Sequence, residues 1–216
     1  MRLTHLGHSC LLVETGGARI LVDPGAFSSG FETLDGLDAV LVTHQHFDHV
    51  DAERLPALLA ANPGVPLVVE PSTVDTLAPA EVRAEPLPAG TSRTFGAVTV
   101  RAVGGRHAAF APEDPPIGNV GLLISADGEP TLFHPGDSYD VAPAGVDVLA
   151  LPLTAPWTAG RDTVEFARAV SPPVAVPIHT AIATPQGRAL YVMHVRNRGP
   201  KGMRVLELDT AVATEV

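Results

Sequence analysis

The chain has 216 residues, 14 basic and 24 acidic, for a formal net charge of −10, and a single cysteine. That acidity is unsuited to a nucleic-acid backbone, and one cysteine excludes both an intrachain disulfide and a cysteine-rich zinc module. No apolar run reaches the roughly 20 residues of a membrane span, and the start, broken by histidines and Gly7, lacks the core of a signal peptide.

With 45% hydrophobic residues, and 21 prolines and 20 glycines spread throughout, the sequence reads as one globular domain over 1–216. A cytoplasmic location is expected. Arg2–Leu6, Ser9–Glu14 and Arg19–Val22 read as a strand meander, with Thr15–Gly17 as a hairpin turn. Asp38–Val42 is continuously apolar after its aspartate, the pattern of a strand buried on both faces. A short helix over Asp51–Asn62 and a buried strand over Pro66–Glu70 follow. Further on, Val98–Val103, Val120–Ser125, Thr131–His134, Val146–Leu153 and Val174–His179 read as strands. Val164, Ala167 and Val170 give Arg161–Val170 helical spacing, and Arg204–Asp209 alternates as a closing strand. A meander followed by a strand–helix–strand unit, twice over, predicts an α/β fold of four layers, an αββα sandwich.

The segment that carries chemistry is Thr43–His49, "THQHFDH", directly after a buried strand. Residues two apart on an extended segment face the same side, so His44 and His46 can grip one ion. A turn after them would swing Asp48 and His49 towards a neighbouring position. Imidazole and carboxylate suit zinc, manganese or iron. Three more candidates stand where a strand gives way to a loop: His107 in "GGRHA", Asp137 in "HPGDS" and His179 at the end of "VAVPIH".

"THQHFDH", His107, "GDS" and the late "PIH" together resemble the five-part metal signature of the metallo-β-lactamase superfamily. The opening "LGHSCLLVETGGARILVDPG" is similar to its compact metal-dependent hydrolases, the group that includes ascorbate-6-phosphate lactonase. The resemblance implies that His44, His46 and His107 hold one metal and that Asp48, His49 and His179 hold a second. Asp137 would bridge the two. It places Asp23 beneath the site as a support, where the residues alone also allow a turn aspartate before Pro24. It places His8 near the metals, as a donor to a substrate oxygen or a turn cap. His134, where relatives often carry an apolar residue, reads equally as a substrate contact or a histidine satisfied within the fold, with a partner to the ligands as a third possibility.

The expected cofactor is a pair of divalent ions, zinc first, with manganese or iron as alternatives. The expected reaction is hydrolysis of a small-molecule ester, lactone, amide or phosphoester by a hydroxide held between the ions, with Asp48 orienting the water. The competing readings are a phosphodiesterase or nuclease, and a non-catalytic metal-binding scaffold or sensor. Expected partners are a small-molecule substrate and, as an open possibility, further copies of the chain, with neither nucleic acid nor membrane. The Pro-rich loop 107–119 reads either as a cover for the pocket or as a surface crossover. "PLTAPW" (Pro152–Trp157) replaces a glycine-rich turn of relatives. Arg106, Arg161 and Arg188 are candidate anchors for an anionic substrate group, whereas His5, His194 and Cys10 read as structural or exposed.

Overall fold

The structure, a computed structural model, describes residues 1–80 and 82–216. Strands β1 (Arg2–His5), β2 (Leu11–Thr15), β3 (Ala18–Val22), β4 (Ala39–Val42), β5 (Leu67–Val69) and β6 (Glu85–Pro86) lie side by side in chain order. A second sheet follows the same rule with β7 (Ser92–Phe95), β8 (Val98–Gly104), β9 (Val120–Ser125), β10 (Leu132–His134), β11 (Val148–Pro152), β12 (Val174–Ile178) and β13 (Arg204–Val205). β14 (Ala213–Glu215) returns to the first sheet beside β1, giving, among the described residues, two sheets of seven strands.

Each sheet begins antiparallel and ends parallel, β3 to β6 in one and β10 to β13 in the other. Parallel neighbours need crossovers. Helix α1 (Leu55–Ala61) lies between β4 and β5, and α2 (Thr73–Leu77) between β5 and β6. α3 (Gly160–Val170) and α4 (Pro185–Arg198) serve the second sheet in the same way.

The period of two along a strand sorts side chains into three apolar layers. Leu41 of β4 joins Ile20, Val100 and Val148 between the sheets, while its neighbours Val40 and Val42 pack with Leu55 and Leu58 of α1. Leu149 and Leu151 of β11 pack outwards on Val164 and Ala167 of α3 and Val192 of α4. Helices therefore cover both outer faces, the expected αββα sandwich.

Several sequence-based boundaries move. The helix expected from Asp51 starts at Leu55, because the Asp51 carboxylate turns back to accept from the Glu53 and Arg54 amides. The closing strand over Arg204–Asp209 keeps only Arg204–Val205. Beyond it the chain passes between the sheets, burying Leu208 in the inter-sheet core, and Thr210 bridges to His5 of the first sheet. α2, α4, β6, β7 and β14 lie outside the elements expected from the sequence.

Candidate metal centre

The carboxyl ends of β3, β4, β8, β10 and β12 meet at one edge of the sandwich, the edge where open α/β sheets place their ligands. His44, His46, Asp48 and His49 leave β4, and Asp23 leaves β3. His107 follows β8, Asp137 follows β10 and His179 follows β12. All seven sequence-predicted ligands come together there. In each of three groups the donor atoms lie within 4.8 Å of one another: His44, His46 and His107; His44, His49 and Asp137; His8, Asp48, His49 and His179.

Backbone conformation helps to aim them. His8, Asp23 and His179 have φ of 49°, 49° and 56°, so three of the five described non-glycine residues in the left-handed region lie at this site. That region is costly for most side chains and clusters at functional positions. In "HPGDS", a Cβ on Gly136 would stand 2.2 Å from Asn119 Oδ1 and 2.8 Å from Thr43 Cβ, which makes glycine necessary. Asn119 in turn donates to the Pro135 carbonyl and accepts from the Asp137 amide, fixing the turn that presents Asp137.

Each ring that presents Nε2 is held through Nδ1. His49 Nδ1–H donates to Asp23 Oδ2 at 2.6 Å, His179 Nδ1–H to the Thr154 carbonyl at 2.6 Å, and His107 Nδ1–H to the Ala108 carbonyl at 2.5 Å. Thr43 Oγ1–H donates to Asp23 Oδ2, which leaves its oxygen to accept from His44 Nδ1–H at 3.0 Å. Such partners set the tautomer that leaves Nε2 as a lone-pair donor.

Four atoms turned into the cluster are buried and unpartnered. His49 Nε2, His107 Nε2, His179 Nε2 and Asp137 Oδ1 have no hydrogen bond. His49 Nε2 lies 3.1 Å from Asp137 Oδ1, and His179 and His107 Nε2 lie 3.2 and 3.6 Å from Asp137 Oδ2. His44 Nε2 faces His46 Nδ1 at 3.2 Å. Converging lone pairs of this kind fit cations, and the donor set of imidazoles and carboxylates suits zinc, manganese or iron.

Without a bound cation, the crowded groups shift one another's protonation. Burial pushes the Asp48 carboxyl up, but the His8 hydrogen bond and the charge of His49 outweigh it and hold the pKa at about 2. Burial likewise opposes ionisation of Asp137, and the charge of His49, with His107 and His179 close by, holds it well below the usual carboxylate range. His49 is driven the other way: burial lowers it, and the carboxylates of Asp137 and Asp23 raise it well above its ordinary value. Burial, with His49 beside it, keeps His44 well below its ordinary value.

The structure also places the residues whose readings the sequence left open. Asp23 is fully buried and accepts from the Thr43 amide, the Thr43 hydroxyl and His49, so it braces the site and is more than a turn residue. His8 is also buried: Nδ1 accepts from the Ala181 amide and Nε2–H donates to Asp48 Oδ2 at 3.1 Å. Its N–H is thus committed to Asp48 instead of a substrate oxygen. His134 is sealed in the core, donating to the Ser9 carbonyl at 2.9 Å and accepting from the Gly136 amide, which corrects the substrate-contact reading. His5 and Cys10 are buried structural residues.

A cavity of about 280 Å³ adjoins the cluster, lined by His46 and His107 on one side and by Arg106, Phe110 and Pro115 of the loop on the other. Of the three candidate anchors only Arg106 lines it. Arg161 lines a larger cavity of about 500 Å³ between α3 and α4 that contains none of the clustered residues, and Arg188 pairs with Glu207 beside α4. Sequence reasoning missed Thr43, Thr154, Asn119 and Trp157. Trp157 Nε1–H donates to Asp137 Oδ2 at 2.8 Å. A lone tryptophan in the segment that departs from relatives was the one available signal.

A family model described as the β-lactamase superfamily domain matches residues 2–179. The protein Rv0786c of Mycobacterium tuberculosis is 45% identical over 216 residues, covering 98% of this chain and 99% of its own. A UPF0173 metal-dependent hydrolase of Aeropyrum pernix is 31% identical, covering 82% and 81%. Among solved structures, Igni18, a metallo hydrolase of Ignicoccus hospitalis, superposes with a TM-score of 0.71 at 21% identity, over 100% of this chain and 98% of its own. A family match over most of the chain and a whole-length relative at 45% identity mean that this chain belongs to the metallo-β-lactamase superfamily, among its metal-dependent hydrolases.

Proposed function

We propose that the chain hydrolyses a small acyl compound, an ester, lactone or amide, at a pair of divalent ions, zinc being the first choice. His44, His46 and His107 would hold one ion and Asp48, His49 and His179 the other, with Asp137 available to both. The observation that carries this reading is the set of buried, unpartnered atoms turned towards one another on Asp137, His49, His107 and His179. Bound there, the ions supply Lewis acidity and make water acidic enough to attack near neutral pH.

The chain's own residues supply the rest. Asp48 stays ionised at neutral pH, so its carboxylate can accept a hydrogen bond from the attacking water and orient it, while His8 fixes Oδ2. Asp23 and the Thr154 carbonyl keep the Nδ1 protons of His49 and His179 in place. The loop 107–119 contributes Phe110, Pro115 and Ile117 to the cavity beside His46, which favours a substrate with a compact apolar body. The formal charge of −10 and this apolar wall speak for a small acyl substrate over a nucleic acid.

The test is elemental analysis of the purified protein, followed by a screen of lactones, esters, amides and bis-p-nitrophenyl phosphate with each ion restored. Asp48→Ala and His46→Ala should each lower metal content and the hydrolysis rate by orders of magnitude. An unchanged rate in either variant overturns the assignment. Full metal loading with no turnover across the panel would favour the scaffold reading.

A further inference from the structure

We infer that Trp157 is a positioning residue for Asp137, holding the carboxylate in the orientation that lets it serve both ions. The inference rests on the metal-centre reading above and goes beyond it, because nothing in the seven-residue cluster requires a tryptophan. The indole Nε1–H reaches Asp137 Oδ2 at 2.8 Å, the same oxygen that faces His179 and His107 Nε2.

A carboxylate offers about four lone-pair sites on its two oxygens. Trp157 engages one on Oδ2. That leaves one on Oδ2, on the side of His107 and His179, and both on Oδ1, on the side of His49. Without that donor the carboxylate could turn about its Cβ–Cγ bond and lose the split between Oδ1, near His49, and Oδ2, near His179.

The indole is itself fixed. Its ring packs edge-on against Tyr139 at 4.9 Å, and Tyr139 is stacked on Phe166 of α3 and donates to the Pro152 carbonyl at 2.6 Å. The same segment carries Thr154, whose carbonyl accepts from His179 Nδ1–H and whose hydroxyl donates to the His179 carbonyl. Leu153–Trp157 thus reaches two of the proposed ligands from behind. The segment that departs from relatives serves here to hold ligands.

Because the chain has one tryptophan, a tryptophan auxotroph fed β-(3-benzothienyl)alanine alters this position alone. Sulfur replaces the N–H while ring size and packing persist. Metal affinity is read by competition with a chromophoric chelator, and stoichiometry by elemental analysis, so neither readout depends on turnover. The substituted protein should bind the ions about 10–100-fold more weakly than the unsubstituted one. Trp157→Phe, which keeps an aromatic ring on Tyr139, should show the same loss, and Trp157→His, which can restore a donor, should recover part of it.

Equal affinity in the benzothienyl protein would reduce Trp157 to a packing residue and overturn the inference, leaving the metal centre untouched. Unsubstituted protein that takes up no metal would overturn the metal-centre reading and this inference with it. Metal binding without hydrolysis would count only against the proposed activity.

Discussion

Replacing Asp23 by asparagine is the sharpest probe of how the site is braced. The carboxylate is fully buried and accepts three hydrogen bonds: from the Thr43 amide at 2.8 Å, the Thr43 hydroxyl at 2.7 Å and His49 Nδ1–H at 2.6 Å. Asparagine has nearly the same shape and tolerates the left-handed φ of 49°, so the backbone is not the variable. It offers one acceptor oxygen and one NH2 group. If the NH2 faces the Thr43 amide, two donors oppose each other in the core, at about 1–3 kcal/mol. If it faces His49, the ring must accept at Nδ1 and carry its proton on Nε2, the atom 3.1 Å from Asp137. Either outcome weakens metal binding, by about 10–100-fold for a lost partner of a ligating histidine, or about 1.4–2.7 kcal/mol. Chelator competition and elemental analysis measure the affinity, and urea denaturation of metal-free protein measures the core penalty. A folded Asp23→Asn protein with unchanged metal affinity and stoichiometry would refute the role given to this carboxylate.

Three further outcomes are expected. In chelator-treated protein His49 has a folded pKa raised well above its ordinary 6.5, so the stability it contributes is full below about pH 6.5 and lost as pH rises through the folded value. Asp48, held at about 2, contributes stability above its ordinary 3.8 that fades as pH falls towards 2; urea midpoints that stay flat from pH 2 to 9 would contradict both. Burial pushes the Cys10 thiol far up, so Ellman's reagent should leave it unmodified in the native protein and react with one thiol per chain in urea. Gly136→Ala should destabilise the protein by more than about 1 kcal/mol in the same denaturation assay, since the new Cβ meets Asn119 and Thr43 at a φ of +62°.

What the sequence disclosed follows from how local each signal was. β4 was plain because four consecutive buried residues, Ala39–Val42, run straight into the histidine motif. The ligands were legible because imidazoles and carboxylates at strand ends form a pattern that few structural needs would produce. α4 was not: it buries only Val192 and Val195 and leaves Leu190 and Met193 exposed, so no apolar stripe marks it. His134 could not be settled because its partners, the Ser9 carbonyl and the Gly136 amide, are backbone atoms, one of them 125 residues away. Trp157 was hidden for the same reason, since its bond to Asp137 spans 20 residues and depends on two loops meeting.

The proposed ligands are divided between the sheets, with His44, His46, Asp48 and His49 on one side of the seam and His107, Asp137 and His179 on the other. An ion bound there would act as a rivet joining two stretches of polypeptide that begin more than fifty residues apart. At a thousand times the dissociation constant, one such rivet adds about 4 kcal/mol to the folded state. Stripping it should loosen the junction before the outer shell, so amide hydrogen exchange would quicken first at the ends of β4 and β10 and last in α3.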